Sequence, residues 1–227
     1  SAKPDHLYAI AVDVLLKLHG VSSSPQSGLT QFSPQLFLEQ AGLFLDAYSA
    51  YVIKKPFSDD SKTAFQTAWR PALEKACAIP SSLMLRDYHA ANIMYLEYET
   101  GHNQAGVIDF QDGGIGPISY DLASLLEDAR IDVPEQLRAQ MLDKYLSSSA
   151  VHDKAAFMAS YHILACQRHM RILGILAKRW ASGVSPATGD YFKRVWGLLM
   201  RHNSEPALHA VYTWMDTNIP NAYRQNW

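Results

Sequence analysis

Leu85-Arg86-Asp87-Tyr88-His89-Ala90-Ala91-Asn92, followed after a polar turn by Val107-Ile108-Asp109-Phe110-Gln111-Asp112, is the stretch on which the fold is decided. Residues 82–85 are a short apolar run and 86–92 a polar loop. Residues 93–97 and 105–109 are β-prone segments separated by Glu99-Thr100-Gly101-His102-Asn103. That order predicts a strand, a loop and a small hairpin. If the two arms pair antiparallel about Gly101, residues whose numbers sum to about 201 lie opposite one another, with side chains about 5 Å apart. Asn92 then faces Asp109, and Asp87 in the preceding loop can reach the same open end.

Two carboxylates and an amide at one place are hard oxygen groups. They suit Mg²⁺, which is held by one or two protein ligands together with water and substrate phosphates. A carboxylate left off the metal can orient an attacking hydroxyl and accept its proton, and phosphoryl transfer requires both of these parts. Asp87 is the expected base, with Asn92 and Asp109 the expected ligands. A D-x-x-x-x-N spacing alone arises often by chance, and Asp and Asn also favour turns for local hydrogen bonding. Its place between two short strands, with Asp109 ending the second, gives the pattern its weight.

Outward from this segment the periodicity is helical. Pro4 opens a stripe of Leu7, Ile10, Ala11, Val14, Leu15 and Leu18 that closes near Gly20, and residues 21–31 read as a loop. Ser33-Pro34 supplies a cap and first-turn proline for a helix carrying Leu36, Leu43, Phe44, Ala47 and Tyr51. A third helix begins at 58–61 and carries Phe65, Ala68, Trp69, Leu73 and Ala76, with Pro71 placed to kink it. Beyond the hairpin, the glycine-rich residues 113–119 read as a loop, and 120–129, 134–146, 153–180, 191–200 and 206–215 as helices. The predicted class is α+β and mostly helical.

Composition narrows the function. Of 227 residues, 48% are hydrophobic and 19% charged, which excludes a disordered chain. Twenty Lys and Arg against 22 Asp and Glu lack the positive excess that nucleic-acid binding needs. Cys77 and Cys166 form no C-x-x-C pair, so neither a zinc cage nor a disulfide framework is indicated, and a cytoplasmic location fits. No apolar run is long enough to cross a bilayer, and the first residues do not form a signal peptide.

The quoted residues resemble the catalytic loop and metal-binding segment of the aminoglycoside phosphotransferase and choline kinase superfamily, relatives of the protein kinases. Tyr120-Asp121-Leu122-Ala123 sits where that family begins a helix with an Asp. The run from Asp109 through Gly113-Gly114-Ile115-Gly116-Pro117 to Arg130 is similar to bacterial kinases that phosphorylate the anomeric hydroxyl of N-acetylmuramate and N-acetylglucosamine in cell-wall recycling. Residues 172–180 resemble the same group more weakly. The resemblance implies an ATP- and Mg²⁺-dependent kinase acting on a hydroxyl of an amino sugar. The alternatives are an aminoglycoside, choline or other small-alcohol kinase and, in another class, a non-catalytic kinase-like binding module. It further implies that Asp121 braces the loop, a residue that equally fits a helix N-terminus. Arg86 beside the base either tunes its charge, meets phosphate or forms an ordinary ion pair, and Asp112 either assists at the metal or forms the turn before Gly113-Gly114.

Two departures accompany it. Leu85 stands where the family usually has His, a structural support. No glycine-rich strand-turn-strand and no third-strand Lys precede residue 82, and the chain starts on Ser1 and enters a helix at once. The expectation is a C-terminal lobe of a protein-kinase-like fold, one domain over 1–227 with a catalytic segment at 82–130 and a helical remainder at 131–227. Its partner would be an N-terminal lobe absent from these residues, and the fragment alone is expected to be poorly active. His162, Arg168, His169, Arg171, Lys178 and Arg179 share one helix and either meet an anionic sugar or form a wetted face. Glu39 and Asp46 on the second helix either enter an acceptor pocket or face water.

Overall fold

In chain order, the computed structural model forms α1 (Pro4–His19), β1 (Thr30–Gln31), α2 (Pro34–Tyr48), a π-helical turn (Ser49–Ile53), α3 (Asp59–Ala76), β2 (Ser81–Met84), β3 (Ile93–Tyr95), β4 (Ala105–Val107) and β5 (Gly114–Pro117). There follow α4 (Tyr120–Leu126), α5 (Glu135–Leu146), α6 (Lys154–Ala181), α7 (Thr188–Met200), α8 (His209–Asn218) and α9 (Ala222–Gln225). It describes residues 3–20, 28–148, 151–183 and 188–225. Most of the predicted loop at 21–31 lies outside them.

The chain divides into two units, Ser1–Phe32 with Cys77–Tyr161, and Ser33–Ala76 with His162–Trp227. In the first, β2 pairs antiparallel with β5, and β5 pairs parallel with β1, in the order β1-β5-β2. The strand expected at 82–85 therefore belongs to this sheet and sits one residue earlier. Residues 113–119, expected as a loop, contain its central strand. The glycines are there for proximity. A Cβ on Gly114 would lie 2.2 Å from the Thr30 carbonyl oxygen and 2.8 Å from the Phe32 ring, and one on Gly116 would lie 2.8 Å from the Met84 sulfur. Only hydrogen fits at Gly114.

α1 anchors the unit. Its buried residues include Ile10, Ala11, Val12 and Leu15, and the Ala11 carbonyl accepts the hydroxyl of buried Tyr88 at 2.8 Å. Asp13 pairs with Lys144 of α5 at 2.7 Å, and His19 Nδ1 lies 2.5 Å from the Tyr145 hydroxyl. Burial pulls the His19 imidazole down to about 4, opposed in part by a backbone hydrogen bond with Leu83.

The second unit is helical, and α2 enters it as its sequence predicts. Ser33 Oγ accepts the Leu36 N–H at 3.2 Å, with Pro34 in the first turn. Phe44 stacks on Tyr48 at 4.6 Å, and Trp196 meets both edge-on while its indole N–H donates to the Tyr48 hydroxyl at 2.9 Å. Each fully buried aromatic contributes about 1.5–3 kcal/mol of transfer free energy. Gly174 lets α6 close on α2, since a Cβ there would lie 2.8 Å from the Leu43 carbonyl. Pro71 is carried inside α3. Arg168 and His169 are almost fully buried and Arg171 nearly so, leaving Lys178 and Arg179 exposed, so the basic residues of α6 do not form one wetted face. Glu39 and Asp46 are exposed, and Glu39 accepts the Gln35 amide at 2.9 Å.

Among the described residues, no helix is long and apolar enough to cross a membrane.

Candidate active site

β3 and β4 pair antiparallel with Ile93 opposite Val107, Met94 opposite Gly106 and Tyr95 opposite Ala105. Paired residue numbers thus sum to one less than the sequence suggested. Asn92 stands opposite Ile108, whose N–H donates to the Asn92 carbonyl at 3.0 Å. The shift arises in the connection: a 3-10 turn at Gly101–Gln104 leads directly into β4, and Leu96 bonds back to Gln104. A slip of one residue sends a side chain to the opposite face of a ribbon. Asp109 escapes that outcome because it leaves the ladder with φ +61°, in the left-handed region, and its Oδ2 still accepts the Asn92 side-chain amide at 3.4 Å.

Asn92 is the hub. Its Nδ2 also donates to the Asp87 main-chain carbonyl at 2.9 Å, so one buried amide ties the loop bearing Asp87 to the residue bearing the second carboxylate. With both donors of the amide committed, the remaining polar atom, Oδ1, is an acceptor suited to a cation. Gln111, quoted in the sequence motif but given no role there, donates to Asp109 Oδ1 at 2.7 Å and fixes that carboxylate from the other side. The Asp-x-Gln spacing was the available signal.

The loop is shaped by its main chain. The Asp87 N–H reaches back to the Leu85 carbonyl at 2.9 Å, and Arg86 between them has φ +69°. Asp121 in the first turn of α4, 1% exposed, accepts the Leu85 N–H at 2.6 Å and the Arg86 N–H at 2.8 Å. Because Asp121 holds Leu85 by its N–H, these contacts are available to Leu as they would be to His. Of the three non-glycine residues with positive φ among those described, Arg86 and Asp109 are both here. Such conformations cost on the order of 1–3 kcal/mol each and cluster where geometry serves a function.

Arg86, for which an ion pair is one of the expectations, pairs with Asp112 at 3.2 Å, the Arg side chain mostly buried and the Asp side chain exposed. Gly113 lets this return segment pass the loop, since a Cβ would lie 2.8 Å from the Met84 carbonyl. Among the described residues no three His, Cys, Asp or Glu side chains gather as a metal cage. The donor set at the hairpin mouth, one carboxylate and one amide oxygen, matches a cation that takes its remaining ligands from water and phosphate. Beside it, Met94 and Ile108 project from one ribbon face and, with Phe110, are about half exposed.

Comparison with known proteins places this geometry in context. The profile of the APH phosphotransferase enzyme family matches residues 1–158. The N-acetylmuramate/N-acetylglucosamine kinase of Caulobacter vibrioides is 32% identical over 224 residues, covering 94% of this chain and 61% of that protein. The chain thus spans about three-fifths of that relative's length. Among solved structures, choline kinase from Cryptosporidium parvum aligns with a TM-score of 0.55 at 13% identity, over 94% of this chain and 70% of that one. The streptomycin–ATP–APH(2'')-IIa ternary complex aligns with 0.52 at 18%, over 88% and 64%. These two likenesses establish the mostly helical fold with small sheets.

Proposed function

The chain belongs to the phosphotransferase enzyme family, and on that premise we propose that it carries the acceptor-activating and metal-holding residues of an ATP- and Mg²⁺-dependent kinase for a hydroxyl of an amino sugar of the N-acetylmuramate or N-acetylglucosamine type. The observation that carries the reading is the double hydrogen bond of the Asn92 amide, which joins the Asp87 loop to Asp109 at the hairpin mouth. The name of the Caulobacter relative supports the acceptor class, and the ATP in the solved ternary complex supports the co-substrate.

In this reading Asp87 accepts a hydrogen bond from the sugar hydroxyl, aligns its oxygen with the terminal phosphorus and takes the proton. The new O–P bond forms as the bond from that phosphorus to the bridging oxygen breaks. Asn92 Oδ1 and Asp109 would hold Mg²⁺, which neutralises charge on the phosphate oxygens when bound. Gln111 keeps the Asp109 carboxylate turned outward, and Asp121 keeps the loop from relaxing. Met94 and Ile108 offer an apolar bed for the purine ring. Positioning accounts for most of the acceleration in such a reaction, so residues that only fix geometry matter nearly as much as those that touch substrate.

The test is ATP-dependent phosphorylation of a hexosamine panel by the natural full-length protein. Asp87→Ala and Asp109→Ala are each expected to lower kcat by at least about a hundredfold, in the range that single acid–base and charge-stabilising groups supply. Undiminished turnover in both variants would overturn the assignment. Turnover of choline or an aminoglycoside in place of hexosamines would move the acceptor class and leave the residue roles standing.

A further inference from the structure

The loop that carries Asp87 and the segment that carries Asp109 are tied at the Asn92 amide and again by an ion pair. Arg86 Nη1 lies 3.2 Å from Asp112 Oδ2, which joins the residue before the proposed base to the third residue after the proposed metal ligand. Among the described residues neither side chain has another polar partner, and Arg86 Nε is shielded from solvent without one. Each charge therefore depends on the other for its place. The main chain on both sides serves the pair. Asp112 sits in a tight turn closed by the Gly113 N–H on the Phe110 carbonyl at 3.0 Å. Gly113 lets that turn close on the loop, since a Cβ there would lie 2.8 Å from the Met84 carbonyl oxygen and 3.6 Å from Leu85 Cα. Arg86 holds φ +69°, a conformation that glycine adopts without strain. A turn needed for its shape alone is better served by glycine, so an arginine here is explained by what its side chain does.

We propose that Arg86 and Asp112 are a positioning pair, whose attraction fixes the Asp87 loop against the Asp109 turn and so sets the separation of the proton acceptor from the metal ligand. Neither residue then touches substrate or metal: Arg86 leaves the phosphates to other groups, and Asp112 leaves the cation to Asn92 and Asp109. Stability and rate part company here. The Asp112 side chain is 63% exposed against 21% for Arg86, so solvent screens the pair and it contributes little to folding. Position weighs far more in the reaction, where a misplacement of about 1 Å costs about a hundredfold in rate. The catalytic role rests on the kinase reading above, whereas the tie between the two segments does not.

The test compares the natural full-length protein with its Arg86→Gln, Asp112→Asn and double variants. Each single change should lower kcat by about tenfold or more while KM for ATP and for the sugar stays within about threefold and Tm within about 3 °C. The double variant should be no more than about twofold slower than the slower single one, because the second substitution removes nothing that the first has left intact. Losses that multiply in the double variant overturn the proposal, as does a smaller effect on kcat. A rise in the KM for ATP confined to Arg86→Gln would assign Arg86 to phosphate, and loss of Mn²⁺ binding in Asp112→Asn would assign Asp112 to the metal; either result also overturns it. Amide hydrogen exchange reads the tie without phosphorylation. Arg86→Gln should speed exchange at the Gly113 amide and Asp112→Asn at the Asp87 amide, each by about threefold or more, since each change loosens the segment across the pair. If the parent phosphorylates no acceptor the kinase reading falls and exchange alone decides, with unchanged rates at both amides overturning the pair.

Discussion

Asp121 Oδ2 accepts the Leu85 N–H at 2.6 Å, joining the first turn of α4 to the loop that carries Asp87. The partner oxygen takes the Arg86 N–H. Substituting Asp121→Ala orphans two main-chain donors, each costing about 1–3 kcal/mol, so stability should fall by about 2–6 kcal/mol and Tm by about 4–24 °C. Asp121→Asn keeps one acceptor and should lose about half as much. Urea unfolding of the three proteins checks the order.

Asp109 pays for its place with a left-handed backbone. Asp109→Gly and Asp109→Ala both lose the bonds from Asn92 and Gln111 and should both weaken Mg²⁺ binding, but the glycine variant, free of the backbone cost, should be more stable than the alanine variant by about 0.5–1 kcal/mol. Denaturation in parallel with Mn²⁺ binding by paramagnetic resonance separates the two effects. A glycine variant no more stable than the alanine variant would show that the conformation is not strained.

His19 is buried neutral, its imidazole held near 4 against an ordinary 6.5. Above about pH 6.5 neither folded nor unfolded chain is protonated there, and stability sits on a plateau with respect to this group. As pH falls from 6.5 towards 4 the unfolded chain takes up a proton that the folded one refuses, so stability declines, by up to ~3 kcal/mol at the bottom of the window. Unfolding measured at intervals from pH 7.5 to about 4 should show the decline, and His19→Gln should flatten it.

Glycines separate cleanly by surroundings. Gly114→Ala places a methyl 2.2 Å from the Thr30 carbonyl oxygen and should cost about 1–3 kcal/mol as β1 and β5 are forced apart. Gly42→Ala and Gly197→Ala lie within α2 and α7 with nothing within 4 Å of the new carbon, and each should gain up to about 1 kcal/mol of helix propensity. Thermal melts of the three variants decide it.

The contrast between Gly114 and Gly42 also explains what was legible in the sequence. Helices α1 to α8 announce themselves through local periodicity and caps such as Ser33-Pro34, and their bounds fall within a few residues of expectation. β5 escapes because its glycines serve a close approach to Thr30 and Phe32, which are distant in sequence, while the same residues in isolation signal a turn. Asp87, Asn92 and Asp109, the residues proposed for the site, were nominated by residue type and spacing alone. Their geometry was not legible: the register depends on a 3-10 turn, and the return of Asp109 to Asn92 depends on a φ angle that no side-chain pattern encodes. An ion pair was among the readings of Arg86, but its partner, Asp112, twenty-six positions away, was not legible from sequence.

The brace from Asp121 grips amide hydrogens, which every residue but proline possesses. Leu85 is thereby released from any duty to maintain the frame through its own chemistry, and it forms a permissive position at which natural variation or a directed library can alter charge and bulk two residues from Asp87 without dismantling the scaffold beneath, whereas Arg86 stays bound to Asp112.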